Sequence, residues 1–379
     1  MNPADATDTS AELSELHELE KALPNQYRLL CKVSQGGMGA IYKGQNRYTG
    51  AEFAIKVLLP RYAQDSQALH RFVFEAKAAS SLKHPNICRV HDFGVSDEQV
   101  PYLVMDWVNG VSLQKKIERD GPMSTEEACL IILQVAQALE HAHQLKLVHR
   151  DLKPDNIMLR RVGTDRVTEV QVVDFGIAKV LQDGEDHQQN LTTTGKVLGT
   201  PLFMSPEQAR GRELDGRSDI YSLGCVMYFV LSGRPPFNGE STVDTIYKHV
   251  NEPPPEIVGR QISAPLKTIM LKCLEKHPND RYRSMKAIAD DLLLLQTGAN
   301  LPPRILAKER QKVRSIIGLI ATFVIGFGLT YALSIALQSG GSKPAAIAPA
   351  AVGSPKAIPK AISKPISKAT PKAPPKAIR

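Results

Sequence analysis

From Tyr27 the chain sets short apolar runs between turn residues in the manner of strands: YRLLCKV, the turn SQGGMG, AIYKGQ, a turn at Thr49-Gly50, then EFAIKVL. The period then changes. An amphipathic segment from Gln67 to Leu82 predicts a helix, HPNI (His84 to Ile87) a turn, and YLVMDWV (residues 102–108) an apolar strand. From near Ser112 the pattern is mainly helical. Ser124 reads as an N-cap with Glu127 as its capping-box partner, and the run ACLIILQVAQALEHAH predicts a buried helix. A small hairpin centred on Gly163 and a strand EVQVV follow. Strands early and helices later predict an α+β fold.

Both ends depart from this pattern. Residues 1–24 are rich in Asp, Glu, Ser and Thr, with Leu13, Leu16, Leu19 and Leu23 placed to stripe one short helix before Pro24. The stretch reads as a loosely held leader, with a docking or regulatory helix as the alternative. Past Pro302, Arg304, Lys308, Arg310, Lys312 and Arg314 precede an uncharged run from Ser315 to Leu337. As a helix that run is ~34 Å long, enough to cross a hydrocarbon core of ~30 Å. Basic residues crowd its near side and only Lys343 lies close on the far side, which predicts a single membrane span with the preceding residues cytoplasmic. Gly318, Thr322, Gly326, Thr330 and Ser334 recur along it at four-residue spacing, a candidate homodimer face.

The tail, residues 338–379, is Ala, Pro and Lys, a composition that buries no core and stays extended. It reads as an extracytoplasmic spacer or stalk, or as a ligand for anionic cell-envelope polymers. It carries seven Lys, one Arg and no acid, so it accounts for the whole net charge of +8. The remaining chain is close to neutral, and a nucleic-acid partner is not implied. Cys31, Cys88, Cys129, Cys225 and Cys273 lack metal-ligand spacing and read as reduced thiols. No charged-then-apolar stretch opens the chain, so no cleavable signal peptide is expected.

The chemistry centres on HRDLKPDN, His149 to Asn156. A loop this short can aim Asp151 at a hydroxyl and Asn156 at a metal ion a few ångströms away. Its spacing resembles the catalytic loop of protein kinases. Asp174-Phe175-Gly176 follows a strand, 23 residues past Asp151, and Ser205-Pro206-Glu207 is a variant of the Ala-Pro-Glu that closes the activation segment. On these motifs the chain resembles the Hanks-type serine/threonine protein kinases, over about residues 27 to 296, and with its span the single-pass membrane form found in bacteria.

The resemblance implies a bilobal kinase fold and a site for ATP and Mg2+, with Mn2+ as a substitute. Asp151 would be the base and Lys153 would neutralise charge on the γ-phosphate. Asn156 and Asp174 would hold the metal, a carboxylate being the hard oxygen donor that Mg2+ needs. The nucleotide would lie under Val33, Ser34, Gln35, Gly36, Gly37, Met38, Gly39, Ala40 and Ile41, where Ser34 stands in place of the family's first glycine. Lys56 in FAIK would hold the phosphates and be held in turn by Glu75. Met105 would be the gatekeeper and Asp106 to Val108, Trp107 between them, the adenine-binding hinge. Asp219 would brace the catalytic loop, and Arg281 would pair with Glu207. Thr192, Thr193 and Thr194 are candidate phosphosites, and Thr200 with Lys153 favours Ser/Thr over Tyr specificity.

The expected organisation is a polar leader (1–26), a small lobe with the hinge (27–108), a large lobe (109–297), a basic juxtamembrane linker (298–314), a span (315–337) and a tail (338–379). The expected activity is phosphoryl transfer to protein substrates with autophosphorylation in the activation loop. A nucleotide-binding scaffold without turnover and an envelope-binding protein acting through its tail are the alternatives. Only Ser34 speaks for the scaffold.

Overall fold

The computed structural model describes residues 14–36, 39–58, 66–162, 167–175 and 201–297. All of them lie in the first of two units into which the chain divides, Met1–Lys312 and Val313–Arg379. The expectations placed on Gly37, Met38, Gly163, Gly176, Thr192 to Thr194, Thr200, the 315–337 run and the tail fall outside the described residues. Among those residues no helix is long and apolar enough to cross a membrane.

The small lobe is a five-stranded antiparallel sheet in the order β1-β2-β3-β5-β4. Its strands are β1 (Tyr27–Gly36), β2 (Gly39–Asn46), β3 (Glu52–Leu58), β4 (Val90–Val95) and β5 (Pro101–Asp106). The two-residue period of a strand decides what each face carries. On β3, Ile55 and Val57 join Tyr27, Leu29, Tyr42, Tyr102 and Val104 in one apolar cluster on the outer face. The alternate positions Ala54 and Leu58 belong to the main core with Val90, Leu103 and Met105. Lys56 shares their parity and so points inward. The helix Ser66–Ser80 covers that inner face with Phe72, Ala76 and Ala79.

Of the leader, residues 14–22 are helical, in line with the alternative of a short leucine-striped helix, while Leu13 and the residues before it lie outside the described residues. Leu16 and Leu19 pack against the outer-face cluster, and Leu23 is buried within it. Leu16, Leu19 and Leu23 find an apolar partner in the outer sheet face, and burying them offsets the entropy of ordering the segment.

The large lobe is built on the helix Gly216–Ser232, buried from Ser218 through Leu231. An all-round apolar helix is stable only when surrounded. The helices Thr125–Gln144, Ala264–Cys273 and Met285–Gln296 join it in the main core. Close contact requires Gly224, where an added Cβ would stand 2.8 Å from the Cys273 Cβ. Ser124 caps its helix by accepting the Glu127 N–H, but the capping box is not closed. The Glu127 carboxylate lies 3.2 Å from Lys116 Nζ instead. A closed box occurs at Ser205 and Gln208, opening the short helix Pro206–Ala209. A small sheet, β6 (Val111–Ser112), β7 (Ile157–Val162) and β8 (Val167–Val172), carries the catalytic-loop motif into β7 and delivers Asp174 just past β8. Cys88, Cys129, Cys225 and Cys273 are buried free thiols, and Cys31 is an exposed one.

Candidate active site

The HRDLKPDN segment is held by its backbone. Asp219, fully buried near the start of the central helix, accepts the His149 N–H at 2.8 Å through Oδ2 and the Arg150 N–H at 3.0 Å through Oδ1. His143 Nε2 lies 2.7 Å from the same carboxylate. Burial pushes the Asp219 carboxyl up, yet the hydrogen bonds and charge from His143 and His149 hold it below the usual carboxylate range. Gln208 Nε2 donates to the Arg150 carbonyl at 2.6 Å. These contacts sustain Arg150 at φ 62°, a left-handed conformation that a non-glycine residue adopts only under constraint.

His149 links this loop to the strand that precedes Asp174. Its Nδ1 accepts the Asp151 N–H at 3.3 Å, so Nε2 carries the proton and donates to the Val173 carbonyl at 3.1 Å. Burial favours the neutral ring and lowers its pKa. The Val173 N–H in turn reaches the Asn156 carbonyl at 2.9 Å. Asp174 is left-handed too, at φ 58°.

Within the loop the predicted residues converge. Lys153 Nζ donates to Asp151 Oδ2 at 3.0 Å, and Asn156 Nδ2 donates to the Asp151 carbonyl at 2.8 Å and to Oδ2 at 3.4 Å. Burial works against the Lys153 charge, but Asp151 outweighs it and raises the pKa, with Asp174 adding to the effect. With the Asn156 nitrogen committed, the oxygen end of that amide is the donor left for a cation.

Lys56 meets Asp174 in an ion pair. The expected Lys56–Glu75 pair is therefore not formed. Glu75 faces the catalytic loop, with Oε1 at 4.0 Å from Arg150 Nη2. The left-handed turn at Asp174 brings its carboxylate to the amine that Glu75 was expected to hold.

The β1–β2 turn closes with Gly36 opposite Gly39 and Ser34 opposite Ile41. Gly39 is required by close approach, since a Cβ there would stand 2.0 Å from the Val57 carbonyl oxygen. Val33 to Gly36 are exposed, while Ala40 and Ile41 are half-buried. At the hinge the Asp106 N–H donates to the Arg89 carbonyl at 3.0 Å, and its carboxylate lies 2.5 Å from His91 Nε2. Val108 packs against the main core, and Lys43 Nζ sits 5.1 Å from the Trp107 ring centre. Met105 is buried, and a small space behind it is lined by Cys88, Leu103, Asp174 and Phe175. Burial pushes the Cys88 thiol up to about 12, so it stays protonated and donates to the Asp106 carbonyl at 3.5 Å.

The metal donors are an amide oxygen and a carboxylate, hard ligands that suit Mg2+. Among the described residues no group of three or more His, Cys, Asp or Glu forms a metal site. Asn156 and Asp174 would hold a cation together with further oxygen ligands, phosphate oxygens among them. Sequence reasoning missed His143 and Gln208, which orient the loop from other elements and carry no spacing signal toward it.

A family model described as the protein kinase domain matches residues 27–293. Serine/threonine-protein kinase PknB of Mycobacterium tuberculosis is 39% identical over 281 residues, covering 73% of this chain and 44% of that protein. A probable serine/threonine-protein kinase of Corynebacterium efficiens is 38% identical over 286 residues, covering 73% and 42%. The chain thus spans less than half the length of these curated relatives. Among solved structures, the Mycobacterium tuberculosis PknI kinase domain aligns with a TM-score of 0.56 at 28% identity, covering 72% of this chain and 97% of that one. Rad53 in complex with AMP-PNP aligns with a TM-score of 0.58 at 26% identity, covering 73% and 68%.

Proposed function

The chain belongs to the protein kinase domain family, and from that premise we propose that it transfers the γ-phosphoryl group of ATP to Ser or Thr hydroxyls of proteins. The observation that carries the reading is the Asp151 cluster, in which one loop presents a carboxylate with a lysine and an amide each within hydrogen-bond reach of it. Asp151 takes up the substrate hydroxyl proton, and Lys153 supplies positive charge where the γ-phosphoryl group passes. Lys56 binds the phosphates after leaving Asp174. Asn156 and Asp174 would hold Mg2+, or Mn2+ in its place, and the cation would supply charge neutralisation at the phosphates. The relatives named serine/threonine-protein kinases support Ser and Thr as acceptors.

The same reading includes four parts that rest on sequence. Residues 315–337 anchor the protein in the cell membrane with the kinase lobes cytoplasmic and the tail outside. The small-residue ladder there pairs two copies. Thr192 to Thr194 then receive phosphate from the paired copy, and Arg150 is the cation that meets it. The tail is a spacer or a ligand of anionic envelope polymers.

The test is the full chain in detergent with γ-labelled ATP and a general protein substrate, beside Asp151→Asn. Label in substrate and on Thr192 to Thr194 by mass spectrometry is the expected result, lost in the variant. Nucleotide binding without transfer in the unsubstituted protein would make it a scaffold instead.

A further inference from the structure

The helix at residues 14–22 is pinned to the β1–β2 ribbon. At about 100° per residue, Leu16, Leu19 and Leu23 fall within about 60° of one another, and Glu15 and Glu20 flank that stripe at about 70° on either side. The stripe meets the outer-face cluster. Each carboxylate then reaches a different part of β1–β2.

Glu15 Oε1 lies 3.1 Å from Lys32 Nζ and accepts the Tyr42 hydroxyl at 3.3 Å. Lys32 and Tyr42 are cross-strand partners one step from the Ser34–Ile41 pair that begins the glycine turn. Glu20 Oε2 accepts the Leu29 N–H at 2.8 Å, and its Oε1 pairs with Arg47 beyond the end of β2.

These contacts fall where the ribbon is weakest. β1 is an edge strand, and its ladder is broken twice, between Leu29 and Cys31 and between Lys32 and Ser34. A bulge leaves strand groups unpaired and bends the strand locally. Glu20 satisfies an N–H at the first irregularity, and Glu15 ties down the side chain at the second.

We infer that helix 14–22 is a brace on the nucleotide loop, with Glu15 and Glu20 as positioning residues that fix the β1–β2 ribbon over the phosphates. This rests on the reading of the site as an ATP site. The brace acts on binding and not on the transfer step, because its described contacts are to the ribbon.

The test uses the full chain carrying Glu15→Gln with Glu20→Gln, measured by ADP calorimetry, by the KM for ATP against kcat, and by hydrogen exchange. The KM for ATP is expected to rise about three- to tenfold with kcat changed less than about twofold. Exchange should quicken over residues 27–46 and stay unchanged over 216–232. Glu15→Lys combined with Lys32→Glu should restore tighter binding than either change alone. An unchanged KM and unchanged ribbon exchange would overturn the brace, as would a fall in kcat alone. If the unsubstituted protein neither binds ADP nor uses ATP, the ATP-site reading fails separately, and the exchange measurement still decides whether the helix holds the ribbon.

Discussion

Lys56 and Asp174, 118 residues apart in sequence, are joined by an ion pair that leaves Glu75 facing Arg150. The amine and the carboxylate proposed for phosphates and metal therefore neutralise one another in the described arrangement. On the proposed function, nucleotide and cation compete for these two groups, and both are needed for transfer.

Lys56→Met should accordingly abolish phosphoryl transfer while the fold survives. The pair is half-buried, with side-chain exposures of 13% and 23%, so its loss should cost about 1–3 kcal/mol of stability. Thermal unfolding and a labelled-ATP assay on one preparation check both halves. Transfer above a few per cent of the unsubstituted rate would remove Lys56 from the site.

Asp219→Asn tests the brace under the catalytic loop. The substitution keeps the shape but turns a carboxylate that serves two backbone N–H groups and His143 into an amide with its own N–H. At a fully buried position this should cost about 2–4 kcal/mol and lower transfer more than tenfold. A variant as stable and active as the parent would show that Arg150 and His149 hold their conformations without it.

Much of this was legible because the signals are local. The FAIK strand singled out Lys56, and the spacing inside HRDLKPDN brought Asp151, Lys153 and Asn156 together. What escaped depends on choices between distant partners. Glu75 and Asp174 are both carboxylates that the motifs offer to one lysine, and chain position does not rank them. Glu127 was read as a capping partner because it is three residues from Ser124, yet Lys116 from the preceding helix competes for its charge. The leucine stripe of residues 14–23 was visible, but whether it is covered depends on the outer sheet face, assembled from four separate strands.

Glu207 and Arg281 form a bidentate pair at 2.7 and 2.8 Å, with side-chain exposures of 7% and 0%. Burial pushes the Glu207 carboxyl up, but Arg281 pulls harder and holds it below its ordinary value. Removing one partner leaves the other charge buried, so Glu207→Gln should cost about 3–5 kcal/mol. Replacing both, Glu207→Gln with Arg281→Met, should recover part of that loss. Denaturant unfolding of the three variants decides it, and additive losses would mean the two residues act independently.

The last expectation concerns pH. His249 is fully buried, with Tyr221 Oη at 3.1 Å from Nδ1 and the Phe237 ring centre at 4.9 Å from its own. Lys276 Nζ donates to its carbonyl at 2.7 Å. Burial, with the Lys276 charge behind it, pushes the imidazole from its ordinary 6.5 down to about 3. The folded state thus keeps this ring neutral in the window between those values, where the unfolded chain takes up a proton. Stability is full above pH 6.5 and falls as pH drops through the window, by about 1.4 kcal/mol per unit for each such group. Between pH 6.5 and pH 5 that amounts to about 2 kcal/mol for His249. His84 and His149 are lowered by burial too and add slope of the same sign. Glu207 and Asp219, also lowered, act only at more acid pH. His249→Gln should therefore be less stable at pH 7 but visibly flatter between pH 7 and pH 5 in denaturant midpoints. An equal slope in parent and variant would mean that His249 gains its proton in the folded state as readily as in the unfolded one.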